Sequence, residues 1–220
     1  MQDNLRFYIQ QITRAQEEER MRIARELHDD TTQELVTLSR QLDTFSDGSE
    51  QLPEQARKRL DELQSRIDTI IKGVRRFSQD LRPSVLDDLG LVPALEMIAD
   101  DLRERYGIAT KVKVTGKQRR LSPEKELLLF RITQEALRNV WRHSQASAAS
   151  ITAEFGSGKI KITVQDNGRG FQLPARLGDL ASAGKLGLAG MYERTQLVGG
   201  KLELQSTPGK GTTLTIEVPS

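Results

Sequence analysis

The sequence predicts an α+β chain in two parts, a long two-helix hairpin followed by a two-layer α/β sandwich. Residues from about 4 to 82 hold apolar positions at helical spacing. The remainder mixes helical stretches with short runs that alternate apolar and polar, bounded by glycine-rich turns. Pro83 stands between the two halves and ends the last helical run of the first. The boundaries expected are therefore 1–83 for the helical half and 84–220 for the mixed half.

The first helix carries the Glu- and Arg-rich run through His28 and continues to about Phe45. At roughly 100° per residue, Ile23, Leu27, Leu35, Leu38 and Leu42 share one apolar face of a regular amphipathic helix, with His28 on its solvent-reachable flank. Ser46 to Pro53 is a turn cluster punctuated by Gly48 and Pro53. The second helix places Leu60, Leu63, Ile67, Ile70, Val74, Phe77 and Leu81 at alternating steps of three and four, the heptad spacing of a packed seam. A lone hairpin cannot hide that stripe. Pairing two hairpins into a four-helix bundle hides it, so a homodimer is favoured over packing on the second half of the same chain.

Beyond Pro83, Ser84 to Gly90 reads as a link and Leu91 to Arg105 as a helix. Ile108 to Val114 reads as a strand. A further helix starts at Ser122, as N-cap, with Pro123 in its first turn, and runs to about His143. Ser150–Phe155 and Lys159–Gln165 form a hairpin about Gly156-Ser-Gly158. A helix near Leu188–Leu197 follows a glycine-rich region. Lys201–Ser206 and Thr212–Val218 close the chain as a second hairpin about Pro208-Gly-Lys-Gly211. Helices grouped with a mostly antiparallel sheet give a two-layer sandwich.

Composition narrows the function classes. Of 220 residues, 36% are hydrophobic and 29% charged, enough for a core with long solvated helices. A net charge of +2 is too balanced for a nucleic-acid or anionic-lipid footprint. With no cysteine there are no disulfides or thiolate metal sites, as suits a reducing cytoplasm. No apolar run is long enough to span a bilayer, so no direct membrane contact is expected. The opening Leu5-x-x-x-Ile9-x-x-Ile12 lacks an N-cap, the expectation being a piece of a longer parent with a helix running in from upstream.

Five motifs carry chemistry. The stretch Arg22-Ile-Ala-Arg-Glu-Leu-His-Asp-Asp-Thr-Thr-Gln33 sets His28 on a helix, with Asp29 beside it and Gln33 at i+4 from Asp29. Glu135, Asn139 and His143 are spaced by four on one helix face, and an Asn side-chain oxygen suits Mg²⁺. Asp166-Asn-Gly168-Arg-Gly170 follows a strand, where a carboxylate can accept a hydrogen bond from an adenine amino group. Gly184-Lys185-Leu-Gly187-Leu188-Ala-Gly190 opens a helix, whose free N–H groups favour phosphate. Pro208-Gly-Lys-Gly211-Thr212 joins two strands.

In this order the motifs resemble those of two-component sensor histidine kinases, most closely the subfamily of nitrate sensors and the bacillar membrane-fluidity thermosensor. Arg-Glu-Leu-His-Asp-Asp resembles that subfamily's phosphoacceptor box, and Glu135–His143 its N box. Asp166–Gly170, Gly184–Gly190 and Gly209–Gly211 resemble its three glycine boxes. The resemblance implies a dimerisation and phosphoacceptor bundle joined to a Bergerat-type ATP-binding domain, with ATP and Mg²⁺ as cofactors and a response-regulator receiver domain as partner. It implies that His28 is phosphorylated, Asp29 acts as general base, Asn139 binds Mg²⁺, and Asp166 binds adenine. Glu135, Arg142, His143, Gly168, Gly170, Lys185, Gly187, Leu188 and Thr212 would complete the nucleotide site. Gln33 matches a phosphatase signature in which an amide orients water against phosphoaspartate. One departure is Lys185, where the family's second glycine box commonly has Gly. The competing readings are a serine kinase or ATPase of the same fold, and a catalytically silent nucleotide-binding scaffold.

Overall fold

The computed structural model describes residues 2–47, 53–173 and 186–219. Two compact units follow one another, Met1–Ser84 and Val85–Ser220. In the first, helix α1 (Gln2–Arg25) passes into a π-helical segment (Glu26–Thr31) and then α2 (Thr32–Asp47). Arg25 and Thr32, which flank the segment, keep right-handed helical dihedrals. The result is one long helix with a wider turn in it, not the regular helix expected from the sequence. Of the turn cluster expected at 46–53, positions 48–52 lie outside the described residues.

Helix α3 (Glu54–Leu81) returns along this long helix. Gln64 Nε2 donates to Ser39 Oγ at 2.7 Å, and Ser78 Oγ donates to the Ala24 carbonyl at 2.8 Å. Partner numbers fall along one helix as they rise along the other, so the two run antiparallel. The helix stops because Arg82 precedes Pro83 and is extended (φ −161°, ψ 112°), a conformation proline imposes on the residue before it. The buried side chains are few and small here: Ala24 and Ile71 are the core hydrophobics among the described residues of this unit. Leu63, Ile70 and Phe77 stay 48%, 50% and 58% exposed, as do Leu38 at 48% and Phe45 at 58%. A single hairpin therefore leaves half of its apolar stripe in water.

The stretch expected as a link contains a short helix, α4 (Ser84–Asp88), whose Leu86 is a core residue of the second unit. Helix α5 (Leu91–Tyr106) ends on Gly107 in the left-handed region, and strand β1 (Ala109–Gly116) follows. Helix α6 (Pro123–Asn139) starts after Ser122, with Pro123 at its first position. The Ser122 side chain makes no capping bond. Instead the Glu126 carboxylate accepts the Leu121 N–H at 3.0 Å and pairs with Arg120 at 3.1 Å. The α-helix stops at Asn139, short of the expected His143, and continues as a π-helical turn, Val140–Ser144, closed by left-handed Gln145.

Strands β2 (Ala148–Phe155) and β3 (Lys159–Asp166), helix α7 (Leu186–Leu197) and strands β4 (Lys201–Ser206) and β5 (Thr212–Pro219) complete the chain. The sheet order is β1-β2-β3-β5-β4. Only the β1–β2 pair is parallel, because α6 intervenes between them; the rest are antiparallel hairpin or crossover neighbours. Burial alternates along β2 and β3 as the pleat requires. The inward residues, among them Ile151, Ile162 and Ile216, meet Leu95, Phe130 and Met191 from the helices. The outward residues form ion pairs such as Lys159–Glu217 at 2.9 Å and Lys161–Glu154 at 3.0 Å. This is the two-layer sandwich expected.

Candidate active site

The second unit encloses a cavity of about 460 Å³ between the end of α6, the end of β3 and the start of α7. Its wall includes Glu135, Asn139, Arg142, His143, Asp166, Gly170, Gly187, Leu188 and Thr212, so the sequence motifs converge on one space. Lys185 lies outside the described residues. Gly168 is not part of the wall; it is buried behind it, and its N–H donates to Asp166 Oδ1 at 2.8 Å.

Asp166 ends β3 opposite Thr212 of β5 and is 7% exposed. Burial pushes its carboxyl above the ordinary carboxylate range, opposed by hydrogen bonds from the backbone of Gly168 and Thr212. With two backbone donors taken, the carboxylate keeps acceptor capacity for a ligand donor. The loop after it is crowded at its glycines. Gly170 has φ +57°, and a Cβ there would run into the carbonyls of Thr207 and Gly211.

The π-helical turn at Val140–Ser144 is tied to this loop. Arg169 N–H donates to the Ser144 carbonyl and Arg169 Nε to the His143 carbonyl, both at 2.7 Å. These are the last carbonyls of the helix, which otherwise lack intrahelical donors. The loop is held in turn by the β4–β5 hairpin: Gly209 N–H donates to the Arg169 carbonyl at 2.6 Å and Phe171 N–H to Ser206 Oγ at 2.9 Å. Asn167 locks the other side, its Oδ1 accepting from Ser147 and Ala148 at 3.1 and 3.0 Å. The polar end of α6 and the Asp166 loop thus form one hydrogen-bonded frame.

Glu135 and Asn139, one turn apart on α6, bring two oxygen-bearing side chains to the cavity, a donor set that suits a hard divalent cation. Among the described residues there is no cluster of three His, Asp or Glu side chains that would hold a metal by itself. Opposite this polar edge the cavity is apolar. Val164, Phe171, Met191, Leu204 and Leu214 line it. Spacing does not mark Val164, Met191, Leu204 and Leu214, because a residue lining a pocket at strand or helix spacing has the same pattern as one in the core, and Phe171 lies in a loop that has no periodicity.

In the first unit, His28 and Asp29 fall inside the π-helical segment, and Gln33 lies one residue past Thr32. The Leu27 carbonyl accepts both the Thr32 N–H and Thr32 Oγ1, the latter at 2.9 Å, an i to i−5 closure. Asp29 and Gln33 are exposed. The expectation for the His28 imidazole concerns a side chain outside those described. π-Turns inside α-helices concentrate at functional sites, and this chain has one in each motif that carries a histidine.

With this geometry in view, comparison with known proteins gives the family. Residues 19–86 match the family model described as histidine kinase, and residues 124–220 that of the histidine kinase-, DNA gyrase B- and HSP90-like ATPases. The sensor histidine kinase MctS of Rhizobium johnstonii is 38% identical over 98% of this chain and 46% of its own length. The histidine-protein kinase/phosphatase DegS of Brevibacillus brevis is 36% identical over 95% of this chain and 53% of its own length. The oxygen sensor histidine kinase NreB of Staphylococcus carnosus is 35% identical, covering 96% and 59%. The chain spans about half the length of these relatives. Among solved structures, the histidine kinase domain of the Erythrobacter litoralis EL346 blue-light activated kinase shares the fold, with a TM-score of 0.51 at 21% identity, over 84% of this chain and 95% of that one.

The chain belongs to the sensor histidine kinases. It combines a histidine kinase helical domain with an ATP-binding domain of the gyrase and HSP90 class. No described helix is long and apolar enough to cross a membrane.

Proposed function

We propose that this core phosphorylates itself on His28 from ATP, passes the phosphoryl group to a response-regulator receiver aspartate, and also dephosphorylates that regulator. The observation that carries the reading is the single cavity onto which Glu135, Asn139, Arg142, His143, Asp166 and Thr212 converge, in a chain that also carries the His28-Asp29-x-x-x-Gln33 helix. Residues 1–83 are the dimerisation and phosphoacceptor domain, and 84–220 the ATP-binding domain. The core works in the cytoplasm, where ATP is supplied.

In this reading the Asp166 carboxylate accepts a hydrogen bond from the adenine amino group, and the base packs among Met191, Leu204 and Leu214. Asn139, with Glu135, holds Mg²⁺, which when bound neutralises phosphate charge. Arg142 and His143 face the phosphates, and the N-terminal turn of α7 at Gly187 and Leu188 offers free N–H groups to them. A ring nitrogen of His28 attacks the γ-phosphorus; a P–N bond forms, the P–O bond to ADP breaks, and the imidazole proton passes to Asp29. Gln33, an amide with no useful pKa, holds a water against the regulator's phosphoaspartate.

Two substitutions on one helix test the division of labour. Asp29→Asn should slow autophosphorylation by about 10²–10⁴-fold, the usual worth of a general base. Gln33→Ala should leave that rate within about twofold of wild type while impairing loss of label from purified phosphorylated regulator. Unchanged autophosphorylation in Asp29→Asn would remove the base. Equal regulator dephosphorylation by wild type and the Gln33 variant would remove the phosphatase assignment.

A further inference from the structure

Trp141 is the chain's single tryptophan and is 39% exposed on the π-helical turn after Asn139. Its ring lies against that of Tyr106, the last residue of α5, with centroids 4.3 Å apart and planes tilted by 31°. The guanidinium of the next residue, Arg142, lies over the Trp141 ring, 5.3 Å from its centroid. Arg142 lines the nucleotide cavity; Trp141 and Tyr106 do not. The backbone of the turn is already fixed, by the Ser144 hydroxyl donating to the Val140 carbonyl at 2.6 Å and by Arg169 on the carbonyls of His143 and Ser144. The Arg142 side chain is long, and an arginine loses much rotamer entropy when a ligand immobilises it. An aromatic face held by a second ring takes up part of that ordering before the ligand arrives.

We propose that the Tyr106–Trp141 pair is a positioning platform that presents the Arg142 guanidinium, pre-ordered, to the nucleotide phosphates. The inference rests on the reading that Arg142 faces those phosphates. It assigns Trp141 and Tyr106 a part in ATP affinity that neither has through contact.

The test is calorimetric binding of adenosine and of Mg²⁺-ADP to the whole chain with wild type, Trp141→Ala, Trp141→Phe, Arg142→Ala and the Trp141→Ala/Arg142→Ala double variant. Adenosine reports the base site and the integrity of the fold, and ADP adds the phosphates. A cation–π contact at an exposed site corresponds to about two- to fivefold in affinity. Trp141→Ala should therefore weaken ADP by about that factor and leave adenosine unchanged, while Trp141→Phe, which keeps a ring, recovers most of the loss. In the Arg142→Ala background, removing Trp141 should cost nothing further. Equal losses for adenosine and ADP, or an undiminished Trp141 effect without Arg142, would overturn the platform. Normal ADP binding by Trp141→Ala beside impaired binding by Arg142→Ala would also overturn it while sparing the phosphate reading. Normal ADP binding by Arg142→Ala would defeat the phosphate reading itself, and the platform with it.

Discussion

Asp166 sits where two demands oppose each other: a buried carboxyl is more stable neutral, yet its proposed role, accepting a hydrogen bond from an adenine amino group, is served best by the ionised form. Burial raises its pKa. The folded state therefore binds this proton more tightly than the unfolded state. Its stabilising contribution is complete below the ordinary carboxylate range and is lost as pH rises through the raised folded value. Asp166→Asn should accordingly raise the melting temperature of the nucleotide-free chain at neutral pH, with the difference closing on acidification; a lower melting temperature at neutral pH would contradict the sign. Nucleotide affinity should fall on acidification before ordinary carboxylates titrate. Asp166→Ala should cost about 1–3 kcal/mol of binding, hence about fivefold to a hundredfold in Kd, and an unchanged calorimetric affinity would remove the adenine assignment. At this scale the polar residues were legible in the sequence, because Asp166, Asn139 and the glycines stand in short ordered motifs. The apolar wall, Met191 and Leu204, was not, since nothing in spacing separates a pocket lining from a core.

The elements were legible in kind but not in their irregularities. Alternation gave the strands, and helical periodicity gave α3, α5 and α6. The two π-helical turns leave no such signal, since each widens a helix by hydrogen-bond choice without breaking the apolar period around it. At the first, the choice is visible in Thr32, whose hydroxyl and amide both reach back to the Leu27 carbonyl. Thr32→Val keeps the branched shape and deletes only the hydroxyl bond. It should destabilise the helical unit by about 1 kcal/mol, read as a lower denaturation midpoint with unchanged slope. An unaltered midpoint would mean that the bond contributes nothing and that the turn is held by backbone alone. Ser122 stands at the N-cap position expected, without a side-chain capping bond, and the buried Glu126 carboxylate holds the chain just before it through the Leu121 N–H.

For the whole molecule, the seven-position stripe on α3 divides into two sets. Leu60, Ile67, Val74 and Leu81 are half-buried within the chain, while Leu63, Ile70 and Phe77 remain open. That division supports a second copy covering the open set. Ile70→Asp would place a charge in that seam at a cost well above 1 kcal/mol, and sedimentation should show monomer with ATP binding retained. A wild-type monomer at micromolar concentration would defeat the bundle. The central claim is that ATP held by the second unit delivers its γ-phosphoryl group to His28. It is tested most directly by incubating the chain with γ-labelled ATP and mapping the label. The expected result is acid-labile label on His28, absent from His28→Gln and strongly reduced in Asp166→Ala. Label on a serine, or ATP turnover that proceeds equally in His28→Gln with no labelled protein, would contradict the claim.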